Sequence, residues 1–420
     1  DKASLVSWWG LDVDYTDSHG SNDGTNSGST LTNSVYGDNA PQIPRILDVA
    51  QPKQAVQLSE GSTYFTTDDY VDIDDSGFPT GDASRSMSIW FRTSYTGDHQ
   101  RLIAYGTQDT NQSFGMYIVD STGALSFYGW GNDIASGVAV ADGEWHHACI
   151  SHTTGGGTDC RKFYLDDSLV GTDSDVINTV ASSMKIGKGV SDNYFYKGDV
   201  ANVSIHSSAL TQTQVQELMF TEKYAGLSSG LKTNLVSWYD LGDTSLGSEL
   251  VTDGDMSNAG SWTAESTAVI ASNVCTVTGA TNNQIIIRQS VTLTDGKLYR
   301  LIFTVSEYGA GAGEIYARVS EAGSNVQTLT MRNANGTYTE DFTASENHTR
   351  LDFLNGNTGN YIIDDVSIKE VLATDSQGSN EGSIYGATTT TGYTSSPHGV
   401  VDPLNLGSVY SGTAVHFDGA

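Results

Sequence analysis

Chemistry in a chain of this kind would start at its carboxylates. The segment DDYVDIDD (68–75) sets Asp72 and Asp74 on one side of an extended strand, opposite Val71 and Ile73, because successive strand side chains point to opposite faces. Retaining glycoside hydrolysis needs two carboxyls roughly 5–5.5 Å apart, and i, i+2 spacing on a strand supplies that. A hydrolase using closely spaced carboxylates on one strand would carry a run such as E-x-D-x-x-E. This segment has no glutamate acid and lies in an early, edge-like position. It reads as a cation site or as solvated surface, not as a catalytic dyad. His146 and His147 are adjacent on a strand and point opposite ways, so they cannot both hold one metal. No G-x-S-x-G, H-E-x-x-H or Walker loop occurs. The GGG at 155–157 reads as a hairpin turn. The expectation is a protein that is not an enzyme.

Binding chemistry has a better case. In KLYRLIFTVS, Tyr299, Leu301, Phe303 and Val305 share the apolar face, which leaves Arg300, Ile302 and Thr304 outside. In EIYARVS, Ile315, Ala317 and Val319 are inside, so Glu314, Tyr316 and Arg318 face out. In RLDFL, Leu351 and Phe353 are inside, and Arg350 and Asp352 are outside. An outer face carrying Arg300, Tyr316, Arg318 and Asp352 stands out in a chain with only 20 basic residues. Guanidinium groups offer forked donors to hydroxyls and carboxylates, and tyrosine offers a stacking surface. The competing account is a cross-strand salt-bridge ladder on a solvated face. Tyr105, Tyr128, Trp130 and Tyr194 fall near strand ends and loops. Exposed, they would make a binding rim; otherwise they are core or turn packing.

These residues must be positioned by strands. Short alternating segments such as SMSIWFRTS (86–94), with Met87, Ile89 and Phe91 against Ser88, Trp90 and Arg92, recur between Gly, Asp and Asn turns. Such spacing predicts antiparallel sandwiches. One short helix is expected after Thr211, its N-cap. The chain has 420 residues and 46 glycines, with a net charge of −30 from 20 basic and 50 acidic side chains. That balance excludes a nucleic-acid binder, which needs a basic face, and disfavours an anionic membrane. It fits an extracellular-type surface. No apolar run reaches the roughly 18–20 residues of a membrane span. Cys149 and Cys160 flank the turn Thr153–Asp159 and are either a disulfide or two free thiols; no C-x-x-C suggests zinc.

A repeat organises the chain. LVSWWGL (5–11) is copied as LVSWYDL (235–241), DSHGSNDGTNSGST (17–30) as DSQGSNEGSIYGAT (375–388), and AVQLSEG (55–61) as AVHFDGA (414–420). In the second copy about 130 residues separate the first two blocks. The expected organisation is a complete sandwich over 1–228, the start of a second over 229–246, an inserted sandwich over 247–372, and the continuation of the second, incomplete, over 373–420. The chain then reads as a fragment of a longer polypeptide, or as a half-domain that a partner completes by strand addition.

DGEWHHACISH (142–152), KFYLDDSLVG (162–171) and YKGDVANVSIHSSALTQTQVQELM (196–219) resemble the laminin-G-like, concanavalin A-like lectin family. One departure is Asp167, where that hairpin usually has Gly. The resemblance implies a two-sheet jelly roll that binds glycans or proteins, with His146–His147 and Trp145 as framework. ELVTDGDMSNAGSWTAES (249–266), TLTDGKLYRLIFTVS (292–306) and NYIIDDVSIKEV (360–371) resemble galactose-binding-like jelly rolls of the carbohydrate-binding-module kind. That resemblance implies Ca2+ tying the opening strand to the closing strand. Asp364 would be the closing-strand ligand. Ser257 stands at the usual acidic position, so Asp253 or Asp255 would have to compensate. Trp262 would pack under the sheet. The combined architecture resembles marine phage structural or tail proteins.

The expected function is a glycan-binding adhesin or receptor-binding component, extracellular or on a virion surface. Its partners would be a cell-surface glycan or polysaccharide and other copies or virion subunits, with no nucleic acid and no membrane insertion. The alternatives are a purely structural spacer, or a binding appendage of a polysaccharide-degrading enzyme.

Overall fold

A computed structural model describes residues 30–32, 54–58, 69–191, 194–221, 224–265, 267–309, 313–391 and 414–416. Contacts divide the chain into two units, Pro52–Leu218 with Lys223–Gly392, and Asp1–Gln51 with Met219–Glu222 and Tyr393–Ala420. In the smaller unit the described pairing is Thr30–Thr32 against Ala414–His416, antiparallel.

The larger unit is all-β and built from antiparallel sandwiches. Its lectin-like sandwich has one sheet in the order Ser168–Asp173, Arg161–Leu165, Trp145–His152, Arg85–Arg92, Gly198–His206, Gln54–Leu58, Thr388–Thr391. The facing sheet runs Gly382–Tyr385, Tyr70–Ile73, Met184–Ile186, Gln100–Gly106, Ser113–Ile118, Ala124–Tyr128, Ile134–Ala139. Met87, Ile89 and Phe91 enter the core between the sheets against Tyr105, Phe114 and Phe127, following the period-2 pattern of the sequence. The helix Gln212–Met219 begins at a reciprocal cap: the Gln214 N–H donates to Thr211 Oγ1 at 3.4 Å, and the Thr211 N–H donates to Gln214 Oε1 at 3.0 Å. Asp166 and Asp167 take φ of 46° and 72° in the hairpin turn. Aspartate tolerates that region better than most side chains, and both stay useful. Asp166 accepts the His147 N–H, and Asp167 accepts Gln212 and Gln216 side-chain amides.

The strands of the second copy do not start a sandwich of their own among the described residues. Leu235–Tyr239 pairs with Gly198–His206, Gly382–Tyr385 with Tyr70–Ile73, and Thr388–Thr391 with Gln54–Leu58. Residues 235–239 and 382–391 thus add strands to the first sandwich, while Ala414–His416 pairs with Thr30–Thr32. The physical reason is that an open sheet edge presents unpaired N–H and C=O groups, and these strands carry a copy of the first repeat's opening blocks.

Between them the chain leaves and returns on adjacent antiparallel strands, with Thr244 opposite Ala373 and Leu246 opposite Val371. The intervening segment folds into two further sheets. One runs Thr263–Ala264, Gln284–Leu293, His348–Asn355, Ile315–Glu321, Ser324–Thr328. The other gathers Val274–Ala280, Leu298–Ser306 and Gly336–Thr343 about the long strand Gly359–Ala373. Tyr299, Leu301, Phe303, Leu351 and Phe353 fill its core. The strand Gly359–Ala373 also pairs with Gly382–Tyr385, so the sheet continues into the lectin-like sandwich.

Candidate functional site

On the sheet of the inserted sandwich, Arg288, Asp352 and Arg318 lie opposite one another on three adjacent strands. Leu351 and Phe353 point into the core, so Arg350, Asp352 and, by the same alternation, Tyr316 and Arg318 belong to the other face, but Tyr316 is buried there, only 6% exposed, and offers no open ring for stacking. Asp352 is fully buried beneath the arginines. Its Oδ2 accepts Arg318 Nε at 3.0 Å and Nη2 at 2.8 Å, and Arg350 Nη2 at 3.0 Å. Arg350 Nε lies 2.8 Å from Oδ1. Arg288 pairs with Glu265 at 3.1 Å. Tyr316 donates its hydroxyl to Asn283 Oδ1 at 2.9 Å.

Three guanidiniums therefore meet two carboxylates, and the patch keeps a positive excess within a strongly acidic chain. Two of the cations are held by one desolvated anion, which fixes their planes before any ligand arrives. A fixed fork can grip vicinal hydroxyls or a carboxylate.

Arg300 does not join this group. It points outward as its phase predicts, but its strand Leu298–Ser306 belongs to the opposite sheet, where it makes a forked pair with Asp341 at 2.6 and 2.7 Å. The single face Arg300–Tyr316–Arg318–Asp352 is corrected to Tyr316–Arg318–Asp352, joined by Arg288 and Arg350. Arg288 was hidden because the strand Gln284–Leu293 has an irregular register between Ile285 and Ile287. Ile286 and Ile287 are both fully buried, so simple alternation loses the phase there.

A second cluster sits on the facing sheet of the lectin-like sandwich. The Arg101 guanidinium carbon lies 4.9 Å from the Tyr117 ring centre, 4.1 Å from Tyr128 and 5.4 Å from Tyr194. His99 meets Tyr117 and Tyr194 edge-on, and Trp130 meets Tyr128 edge-on. Tyr117, Tyr194 and Trp130 are partly exposed. Further along the same sheet, Tyr70 and Tyr385 stack at 4.5 Å, with Lys188 Nζ 4.8 Å from Tyr70. Of the four aromatics singled out in the sequence, Tyr128, Trp130 and Tyr194 gather here. Tyr105 instead lies in the core, its hydroxyl donating to Pro79 O at 3.0 Å and its pKa pushed up to about 12 by burial. The phase of Arg101 is masked in the sequence because Leu102 and Ile103 are both core residues and the register shifts between Arg101 and Ile103, whereas Tyr117 lies between the core residues Met116 and Ile118 and is legible by alternation.

The other candidates are engaged in structure. Asp72 pairs with Lys185, and Asp74 Oδ1 accepts the Ser76 N–H and hydroxyl. His146 and His147 do face opposite ways. His147 is buried, hydrogen-bonds Ser88 Oγ at 2.7 Å, and burial lowers its pKa to about 4. His146 sits between Asp166 and Asp142 at 2.7 and 3.1 Å. Burial alone would lower its pKa, but the two carboxylates outweigh it and raise it. Cys149, Cys160 and Cys275 are free and buried. Cys149 faces Tyr164 across the hairpin, not Cys160.

Of the calcium residues, Asp253 accepts the Ser257 hydroxyl at 2.6 Å and the Asn258 N–H at 2.8 Å. Asp255 accepts the Ser257 N–H at 3.2 Å. The charge of Asp255 reaches Asp364, whose pKa is raised by burial first and then by Asp365 and Asp255. Asp253 thus acts as a turn cap, with Ser257 standing where an acidic ligand would be. Among the described residues no group of three or more His, Cys, Asp or Glu side chains could hold a metal ion. Trp262 packs into the core and donates Nε1–H to Asp253 O at 3.0 Å.

Residues 65–216 match the family model of the concanavalin A-like lectin/glucanases superfamily. That segment is a laminin-G-like domain, and its fold is of the carbohydrate-binding, lectin-like kind. No curated protein matches the chain. Among solved structures it is similar to a SAP-like pentraxin from Limulus polyphemus, at 15% identity over 40% of this chain and 82% of that one, with a TM-score of 0.32. It is similar to the CBM40 of the Ruminococcus gnavus IT-sialidase bound to α2,6-sialyllactose, at 14% identity over 40% and 98%, with a TM-score of 0.30. It is also similar to the CBM22-1 xylan-binding domain from Paenibacillus barcinonensis, at 10% identity over 30% and 94%, with a TM-score of 0.23. Among the described residues no helix is long and apolar enough to cross a membrane.

Proposed function

We propose that this chain is a non-enzymatic glycan-binding protein of the adhesin or receptor-binding type, acting outside a cell or on a virion surface. The observation that carries the reading is the fork of Arg318 and Arg350 on buried Asp352, beside Arg288 and Tyr316. Asp352 holds both guanidiniums on the outer face at little further entropic cost when a ligand arrives. The remaining guanidinium donors then meet sugar hydroxyls or an acidic-sugar carboxylate. The partly exposed aromatics around Arg101 offer a second, weaker stacking surface on the laminin-G-like domain. Two weak faces on one chain gain by avidity when the glycan is displayed densely.

The test is a glycan array probed with the full chain, displayed multivalently, carrying neutral and acidic glycans side by side. The expected result is specific binding that Arg350→Ala weakens at least tenfold. Silence across the array from a folded chain would overturn the reading and leave the spacer role.

A further inference from the structure

The two repeats exchange strands, and the exchange has a register. By the sequence copies DSHGSNDGTNSGST and DSQGSNEGSIYGAT, Thr30 corresponds to Thr388, so Leu31 corresponds to Thr389 and Thr32 to Thr390. By AVQLSEG and AVHFDGA, Ala55 corresponds to Ala414, Val56 to Val415 and Gln57 to His416. The strand Thr388–Thr391 of the second copy pairs with Gln54–Leu58 of the first, with Thr388 opposite Gln57, Thr389 opposite Val56 and Thr390 opposite Ala55. The strand Thr30–Thr32 of the first copy pairs with Ala414–His416 of the second, with Thr30 opposite His416, Leu31 opposite Val415 and Thr32 opposite Ala414. Position for position, the two pairings are the same. Each copy's early strand lies on the other copy's later strand in one shared register.

Equal registers mean that neither seat distinguishes the two donors by position. A strand ladder is made by backbone groups that every residue carries, and register is set by the alternation of side chains. The same duplication covers LVSWYDL, which takes its seat on Gly198–His206, and LVSWWGL at 5–11, the latter outside the described residues. Exchange of an identical element between like sandwiches is a low-cost route to assembly.

We propose that Thr30–Thr32 and Thr388–Thr391 are interchangeable occupants of one strand seat, and that a second copy of this chain can supply the strand, joining copies by strand exchange. The partner is the same polypeptide, and the recognition is strand addition between matched repeats.

Paired cysteines in the full chain test this. Directly opposed residues of an antiparallel pair lie within the span of a disulfide. Ala55→Cys with Thr390→Cys reports the pairing in place. Ala55→Cys with Thr32→Cys reports the alternative occupant. The three native cysteines are buried, and each variant, reduced, is first checked against the parent's thermal midpoint. After mild oxidation, non-reducing gels and peptide mapping locate the bonds. The expected result is bridging in both variants, with a disulfide-linked dimer in the Thr32→Cys variant whose share rises at least threefold over a tenfold rise in protein concentration. Bridging only in the Thr390→Cys variant, bridging in neither, or Thr32→Cys bonds confined to single chains at every concentration would each overturn the proposal.

Discussion

Asp375 accepts the backbone N–H of Trp238 at 3.0 Å across 137 residues of chain. The same carboxylate accepts the N–H groups of Gln377 and Gly378, and Asn380 at 3.3 Å. Ser376 returns its N–H to Trp238 O at 2.8 Å. In the first copy the corresponding blocks, LVSW and DSHGSN, are near neighbours in sequence. Here a whole sandwich lies between them, and one buried aspartate draws the two ends together.

Asp375→Ala should therefore be costly. It strips a 5% exposed acceptor from several backbone donors at once. Orphaned buried donors cost roughly 1–3 kcal/mol each before relaxation, so a loss of about 3 kcal/mol is expected in denaturant unfolding. A change below about 0.5 kcal/mol, the usual range for surface substitutions, would contradict the role given to Asp375.

Excision of the inserted sandwich should leave the laminin-G-like domain folded. Thr244 and Ala373 are cross-strand partners, so an Asn-Gly turn joining Leu246 to Val371 closes a hairpin without moving either strand. Circular dichroism is expected to show a cooperative β transition with a modestly lowered midpoint, because Leu298 also touches the lectin core. A noncooperative melt would show that the two sandwiches are one folding unit.

Acid should destabilise the chain through two histidines. Burial lowers His147 and His206 to about 4. The unfolded chain binds protons near pH 6.5 while the folded chain does not, so stability is lost as pH falls through that window, by about 3 kcal/mol at most for each site. His146 acts oppositely: its raised pKa gives stability that is present below 6.5 and lost as pH rises through its folded value. His206→Gln should flatten the fall in midpoint between pH 6.5 and 4. An unchanged slope would contradict a neutral buried His206.

Asp364 tests calcium. Its raised pKa means that the charged carboxylate is disfavoured in the fold by burial and by Asp365 and Asp255. Its contribution is then present below its unfolded pKa and lost as pH rises through the folded one. At neutral pH in EDTA, Asp364→Asn should raise the thermal midpoint. If Ca2+ binds here, it should stabilise the parent and not the variant. Equal stabilisation of both would place any calcium elsewhere.

The core was legible because alternation is local: Met87, Ile89 and Phe91, or Leu351 and Phe353, declare their face within five residues. Which sheet owns an outward residue is not local. Arg300 and Arg318 have the same phase and lie on opposite sheets, since strand order is set by distant pairing. Arg288 and Arg101 sit beside register shifts, where two consecutive buried residues erase the signal. The repeats were plain in sequence, but nothing in LVSWYDL or DSQGSN says which sandwich will receive them.

A guanidinium fork that grips a glycan is broken by Arg318→Lys. Lysine keeps the charge over Asp352 and loses the planar pair of donors. Binding of the full chain to its best array glycan is measured by calorimetry, with the thermal midpoint of each variant alongside. At least a tenfold loss of affinity is expected, with a midpoint within a few degrees of the parent. Affinity unchanged in both Arg318→Lys and Arg350→Lys would contradict it and mark the cluster as a salt-bridge ladder alone.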